Sequence, residues 1–153
     1  MGPEWSDMLR LSKKADYGLI AMKHLASAPA GAASAREIAR TYGIPSPLLA
    51  KILQKLARNG LLHSAHGTNG GYKLARDPRT ISALEVIRTI DGPMILASCF
   101  TQSGACYHSG RCSVREPLRK IHLGILQLLG SITISEMKDE PEPAGQTRLF
   151  HAV

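Results

Sequence analysis

A chain of 153 residues with 19 Lys and Arg against 12 Asp and Glu, for a net charge of +7, has the length for one domain and the charge for a polyanionic partner. Aromatic residues make up only 5%, which argues against a surface that stacks single-stranded bases. There is no long apolar run and no charged-then-apolar leader, so a soluble cytoplasmic protein with no membrane partner is expected, and three cysteines, an odd number, fit a reducing compartment.

Residues 1–7 contain Gly2-Pro3 and no periodicity, and are expected to be a disordered extension. From Ser12 onward Ala15, Leu19, Met22 and Ala26 recur at helical spacing with Leu25 beside them, predicting a helix that ends before Pro29. Ser34-Ala-Arg-Glu37 is a capping box, in which hydroxyl and carboxylate each satisfy the other's backbone N–H. It opens a short helix that runs to Tyr42 and stops at Gly43. Beyond Gly43-Ile-Pro45, Ser46 is expected to cap a third helix with Pro47 at its first position, ending at Asn59-Gly60. Leu49, Ile52, Leu53 and Leu56 form its buried stripe, while Pro47, Ala50, Lys51, Gln54, Lys55 and Arg58 fall opposite. Two short helices joined by a tight glycine turn make a helix-turn-helix candidate.

The runs Leu61–His66 and Tyr72–Ala75 flank Gly67-Thr-Asn69-Gly70-Gly71, and Asn-Gly between two short runs predicts a hairpin. Directly after a recognition helix, such a hairpin is a wing. The glycines lack the spacing of a phosphate-binding loop and no helix follows them, which argues against a nucleotide site. Ser82-Ala-Leu-Glu85 is a further capping box, opening a helix through Ile90 that Asp91-Gly92-Pro93 ends.

All three cysteines, Cys99, Cys106 and Cys112, lie between Ala97 and Glu116, in a stretch of Ser, Gly and small residues too polar for a core and too poor in β-branched residues for a strand. Zinc knuckles usually place two to four residues between paired cysteines; here six and five intervene, which suits a wider object such as an iron-sulfur cluster. Ordinary reduced thiols are the alternative on residue types alone. Ser113-Val-Arg-Glu116 reads as a capping box, so Cys112 is expected just outside a helix N-terminus. That helix carries Val114, Leu118, Ile121, Ile125, Leu128 and Ile132 in alternating four- and three-residue steps, a heptad-like seam that Leu123, Leu126 and Leu129 widen. Apolar surface that broad needs more than one partner and predicts a homodimer. Residues 138–153, with Glu140-Pro-Glu-Pro143, read as a disordered tail.

Met8-Leu-Arg10-Leu-Ser-Lys13-Lys-Ala-Asp16-Tyr17-Gly18-Leu, Ile44 to Asn59 with Gly60-Leu61, Gly67-x-x-Gly-Gly-Tyr72-x-Leu74 and the cysteine trio together resemble the winged-helix iron-sulfur regulators typified by IscR and NsrR. The resemblance spans residues 8–137 and is nearest to the proteobacterial regulators of the SUF iron-sulfur assembly system. The fold expected is mostly α. A winged helix-turn-helix domain with a small β-hairpin wing covers 8–92, a cluster-binding loop 93–113, and a dimerisation helix with its end segment 114–137. The resemblance implies a homodimer on a palindromic double-stranded DNA operator. It further implies one iron-sulfur cluster (2Fe-2S or 4Fe-4S) per subunit, held by Cys99, Cys106 and Cys112, and repression of iron-sulfur assembly genes.

Two departures from the pattern matter. The IscR type has a histidine three residues after the third cysteine; Arg115 stands here, and a guanidinium stays protonated and cannot ligate. The NsrR type draws a carboxylate from the first helix of the other subunit, and Asp16 stands at that position, with His108 inside the loop as its rival. The family's wing arginine is replaced by His66, which exchanges a permanent minor-groove charge for a titratable one.

Ala50, Lys51 and Gln54 are the expected base readers: Ala for a thymine methyl, Lys for guanine, Gln for adenine. Ser46, Pro47, His66 and Asn69 complete the expected DNA face, and Lys55, Arg58, Lys73, Arg36 and Arg40 are expected phosphate contacts or else solvated charges. No Ser/His/Asp or paired-carboxylate constellation has recognisable spacing, so no enzyme is expected. The rival readings are an iron-sulfur electron-transfer or cluster-carrier protein, and a DNA-binding protein with a structural zinc site.

Overall fold

The computed structural model describes residues 11–28, 30–65, 70–95 and 111–138. The expected extension 1–7 and the tail from 139 onward lie outside the described residues.

Helix α1 (Lys13–Ser27) begins where Ser12 Oγ accepts the Ala15 N–H at 3.0 Å. Helix α2 (Ala35–Tyr42) carries the complete capping box: Ser34 Oγ accepts the Glu37 N–H at 3.1 Å, and the Glu37 carboxylate accepts the Ser34 N–H at 3.5 Å. Helix α3 (Ser46–Arg58) corrects an expectation. Pro45 is its cap, Ser46 its first residue and Pro47 its second, and no side chain caps it. The Pro45 carbonyl already takes the Leu49 N–H at 3.0 Å, so the helix starts one residue earlier than a serine cap allows.

Strands β1 (Leu62–Ala65) and β2 (Gly71–Leu74) pair antiparallel, with Leu62 opposite Leu74 and Ala65 opposite Gly71. Ala33 adds a third, one-residue rung, exchanging hydrogen bonds with Tyr72 at 3.0 and 2.8 Å. Gly71 is required there, because a Cβ on it would lie 2.5 Å from the Ala33 carbonyl oxygen. A 3-10 turn (Pro78–Thr80) leads into helix α4 (Ala83–Asp91). Only half the box expected at α4 forms: Ser82 Oγ accepts the Glu85 N–H at 3.2 Å, while the Glu85 carboxylate turns to Arg76.

Helices α1, α3 and α4 and the hairpin enclose one core, in which Ala15, Met22, Ile38, Leu49, Leu53, Leu56, Leu61, Leu62, Ile81 and Val86 are buried. Gly18 makes the α1–α4 crossing close, since a Cβ there would run into Ile90 Cδ1. The structure is the expected mostly helical winged helix-turn-helix with its two-stranded wing.

Helix α5 (Arg115–Ser131) has no buried residue. Its cap position is Val114 with no side-chain bond, so the expected Ser113 box is absent. The Glu116 carboxylate pairs instead with Arg119, at 2.6 and 3.0 Å, one turn along the same helix. Two backbone hydrogen bonds fix the far end of α5 to the domain: Ile132 O accepts the Ala83 N–H and Ile81 O accepts the Ile134 N–H, both at 2.8 Å, with Ile134 fully buried. Ile132, expected in the dimer seam, lies past the helix end and packs on this core. Among the described residues no helix is long and apolar enough to cross a membrane.

Candidate nucleic-acid interface and cysteine segment

At about 100° per residue, Pro47, Lys51, Gln54 and Arg58 fall in one row on α3, opposite Leu49, Leu53 and Leu56. All four are exposed, Ala50 flanks them half-buried, and Ser46 is exposed at the N-terminal end of the helix. The second helix of a helix-turn-helix enters the major groove, and this row presents it with a primary ammonium, an amide and a guanidinium. Arg36 and Arg40 are exposed one turn apart on α2, and Lys73 is exposed on β2. Cations that stand outside the groove-facing helix suit phosphate contacts.

Lys55 is exposed and makes one contact that the helical pattern did not indicate. It stands on the α3 flank nearest Ile52, and its Nζ donates to the Ile90 carbonyl of α4 at 2.9 Å. Two residues absent from the expected DNA face stand on exposed or part-exposed surface. His63 lies directly across the hairpin from Lys73 and is exposed, a placement that the hairpin register alone could have given. Tyr42, 43% exposed at the end of α2, sets its hydroxyl 3.2 Å from His24 Nδ1 with the two rings edge to face. His66 and Asn69 lie outside the described residues.

Of the cysteine segment, Cys112 is described and half-buried, and Cys99, Cys106 and His108 lie outside the described residues. Only Ser113 and Val114 separate Cys112 from α5, whose first-turn N–H groups have no side-chain cap. Those groups carry the positive end of the helix dipole, and exposed Arg111 and Arg115 stand on either side. Arg119 keeps the nearby Glu116 carboxyl below its usual range through their hydrogen bonds. Asp16, in the first turn of α1, is half-buried, and its carboxylate is not hydrogen-bonded to Cys112 within the subunit. Along α5, Val114, Ile121 and Leu128 recur every seven residues at 53, 53 and 60% exposure, with Leu118 and Ile125 half-buried between them.

A helix-turn-helix with an outward row of DNA-compatible side chains and a following wing defines a winged-helix DNA-binding protein. The Rrf2 family model, described as an iron-dependent transcriptional regulator, matches residues 11–140, and the chain belongs to that family. An rrf2-like HTH-type transcriptional regulator of Rhodobacter capsulatus is 30% identical over 145 residues, 89% of this chain and 97% of that one. Among solved structures, CymR (YrzC), the global cysteine regulator of B. subtilis, is similar at a TM-score of 0.71 and 28% identity, over 84% of this chain and 95% of its own. T. potens IscR is similar at a TM-score of 0.65 and 31% identity, over 84% of this chain and 85% of its own. The protein is a DNA-binding transcriptional regulator, from a family of transcriptional regulators.

Proposed function

We propose that this regulator is a homodimer of the IscR/NsrR type, nearest the SUF-system regulators, and that it represses iron-sulfur assembly genes from a palindromic operator according to the state of a bound iron-sulfur cluster. The observation that carries the reading is the placement of Cys112, half-buried before an uncapped helix N-terminus and flanked by two arginines. Three thiolates and an inorganic cluster bring net negative charge, which the positive end of a helix dipole favours. CymR, a cysteine regulator, shares the fold, so the argument rests on the thiols and not on the architecture.

In this reading Cys99, Cys106 and Cys112 hold a 2Fe-2S or 4Fe-4S cluster, and Asp16 of the partner subunit or His108 supplies the fourth ligand. When bound, the cluster supplies a centre whose charge and integrity follow iron and oxidants. Val114, Leu118, Ile121, Ile125 and Leu128 form the dimer seam. Ala50, Lys51 and Gln54 read bases, with Ser46 and Pro47 at the mouth of the groove. Arg58, Arg36, Arg40 and Lys73 hold phosphates, and His66 and Asn69 at the wing tip meet the minor groove. A cluster carrier has no use for this face.

The test is anaerobic purification with iron and sulfide counts, the visible spectrum, and a DNA-binding assay. Iron and sulfide bound together, with absorbance lost on replacing any one of the three cysteines by Ala, is the expected result. Zinc without sulfide selects a structural metal site, and full absorbance in all three cysteine variants rejects the ligand assignment. Asp16→Ala and His108→Ala then differ: the one that changes the spectrum is the fourth ligand.

A further inference from the structure

The last turn of α4 is held from two sides. Lys55 on α3 donates to the Ile90 carbonyl at 2.9 Å, in the stretch where a helix C-terminus leaves carbonyls without internal partners. A lysine at that end also meets the negative end of the helix dipole. From the other side Ser12 Oγ, the cap of α1, donates to Asp91 Oδ1 at 2.5 Å. At the base of Lys55, Asn59 Nδ2 closes the last turn of α3 on the Lys55 carbonyl at 2.8 Å. Past Gly92 and Pro93 the chain enters the segment that carries the cysteines.

We propose that Lys55 is a positioning residue rather than a phosphate contact. It fixes the recognition helix to the end of α4 and so passes the state of the cysteine segment to the groove-reading face. The transmitting half rests on the reading that this segment governs DNA binding. Lys51, Gln54 and Arg58 remain outward, so the α4 end can tilt the reading row without taking part in it.

The experiment titrates an operator duplex and a nonspecific duplex with wild type, Lys55→Met and Lys55→Arg at several salt concentrations, with and without the cluster. A phosphate contact adds about 0.9 to the salt slope, and a positioning lysine adds none. The Met variant is expected to keep nonspecific affinity and slope and to lose about tenfold in operator affinity, the order of one hydrogen bond from a charged donor. The loaded-to-unloaded affinity ratio, expected at about 5- to 150-fold in wild type, should fall toward one. The Arg variant should restore part of both.

Asp91→Ala removes the second tether while leaving Ser12 on the Ala15 N–H, and should lower the ratio with the slope unchanged. A slope reduced by about one in the Met variant with the ratio intact returns Lys55 to the phosphate contacts and overturns the proposal. A ratio unchanged in both Lys55→Met and Asp91→Ala overturns the transmission. Equal operator affinity of wild type in its two states rejects the cluster-sensing reading and the transmitting half with it, while the slope still decides the positioning half.

Discussion

Helices α1 and α5 are close in length, 15 and 17 residues, and both carry apolar residues at helical spacing, yet they meet opposite fates. Helix α1 buries Ala15, Gly18, Leu19, Ala21, Met22 and Leu25, because α3, α4 and β2 all pack on it. Helix α5 buries none of its residues, and what the structure shows holding it is its C-terminal end, where Gly130 leaves 3.7 Å to Leu84 Cδ2 and Ile134 plugs the core. Periodicity announces that a helix has a face to cover; it does not say whether the cover lies in the same chain. Among the described residues, nothing covers the exposed Val114, Ile121 and Leu128 row.

The comparison breaks most sharply with one substitution on each side of it. Leu53→Ala, in the fully buried stripe of α3, should cost about 2–5 kcal/mol in urea unfolding, from lost transfer energy and the cavity left behind. Ile121→Glu should leave the unfolding of the isolated subunit within about 0.5 kcal/mol of wild type, because that side chain meets water already. The same change places a carboxylate in the proposed seam, where it must be desolvated without a partner, and sedimentation should then report monomers. An unfolded subunit would make α5 part of the domain core, and an intact dimer would move the interface elsewhere.

A smaller effect separates the two ends of the chain by their caps. Ser34→Ala should cost about 1 kcal/mol, since its hydroxyl accepts the Glu37 N–H and anchors a reciprocal box. Ser113→Ala, at the start of α5, should change stability by roughly nothing, since no side-chain bond caps that helix. Thermal melts of the two variants beside wild type measure the difference, and equal losses would mean that Ser113 caps α5 in solution.

Much of the winged domain was legible because local chemistry and tertiary packing agree there. The Ser34 cap, the Leu49-Ile52-Leu53-Leu56 stripe, the Asn-Gly hairpin and the stop at Gly43 are each written in a few adjacent residues. What escaped was set by groups distant in sequence. Glu85 has the spacing for a box but finds Arg76 across the wing exit, and Glu116 has it but finds Arg119 a turn away. Lys55 is exposed as its pattern indicates, but its bond to a carbonyl 35 residues on is not written in that pattern. Ile132 fits the heptad steps, but the helix ends before it and the chain turns back to pair Thr133 with Ser82. The Tyr72–Ala33 rung is also nonlocal: in the sequence Gly71 looks like hairpin punctuation, whereas its reason is the backbone passing over it. On the candidate face, the outward row of α3 is visible in the helical pattern, while the place of His63 needs the strand register and that of Tyr42 needs its neighbour His24.

The smallest predicted effect lies where the end segment after α5 rejoins the domain, at the 3-10 turn. Asp77 there accepts the Arg79 side chain at 2.7–3.2 Å and the Arg79 N–H at 2.9 Å, and these bonds, with a weaker pull from Lys138, bring its carboxyl down from 3.8 to about 2. A carboxyl whose folded value is depressed binds its proton more weakly in the native state than in the unfolded chain. Its contribution is therefore complete above about 4, shrinks as the pH falls below that, and is gone below about 2. Both side chains are exposed, so the pair is screened and the contribution should be slight. Asp77→Asn keeps an oxygen for the Arg79 N–H and removes the charge. It should flatten the fall of melting temperature between pH 4 and pH 2 by a small amount while leaving the neutral-pH value almost unchanged, and the flattening should fade in high salt. A profile in Asp77→Asn that falls as steeply as wild type across that window would place the acid sensitivity of the subunit in other carboxylates.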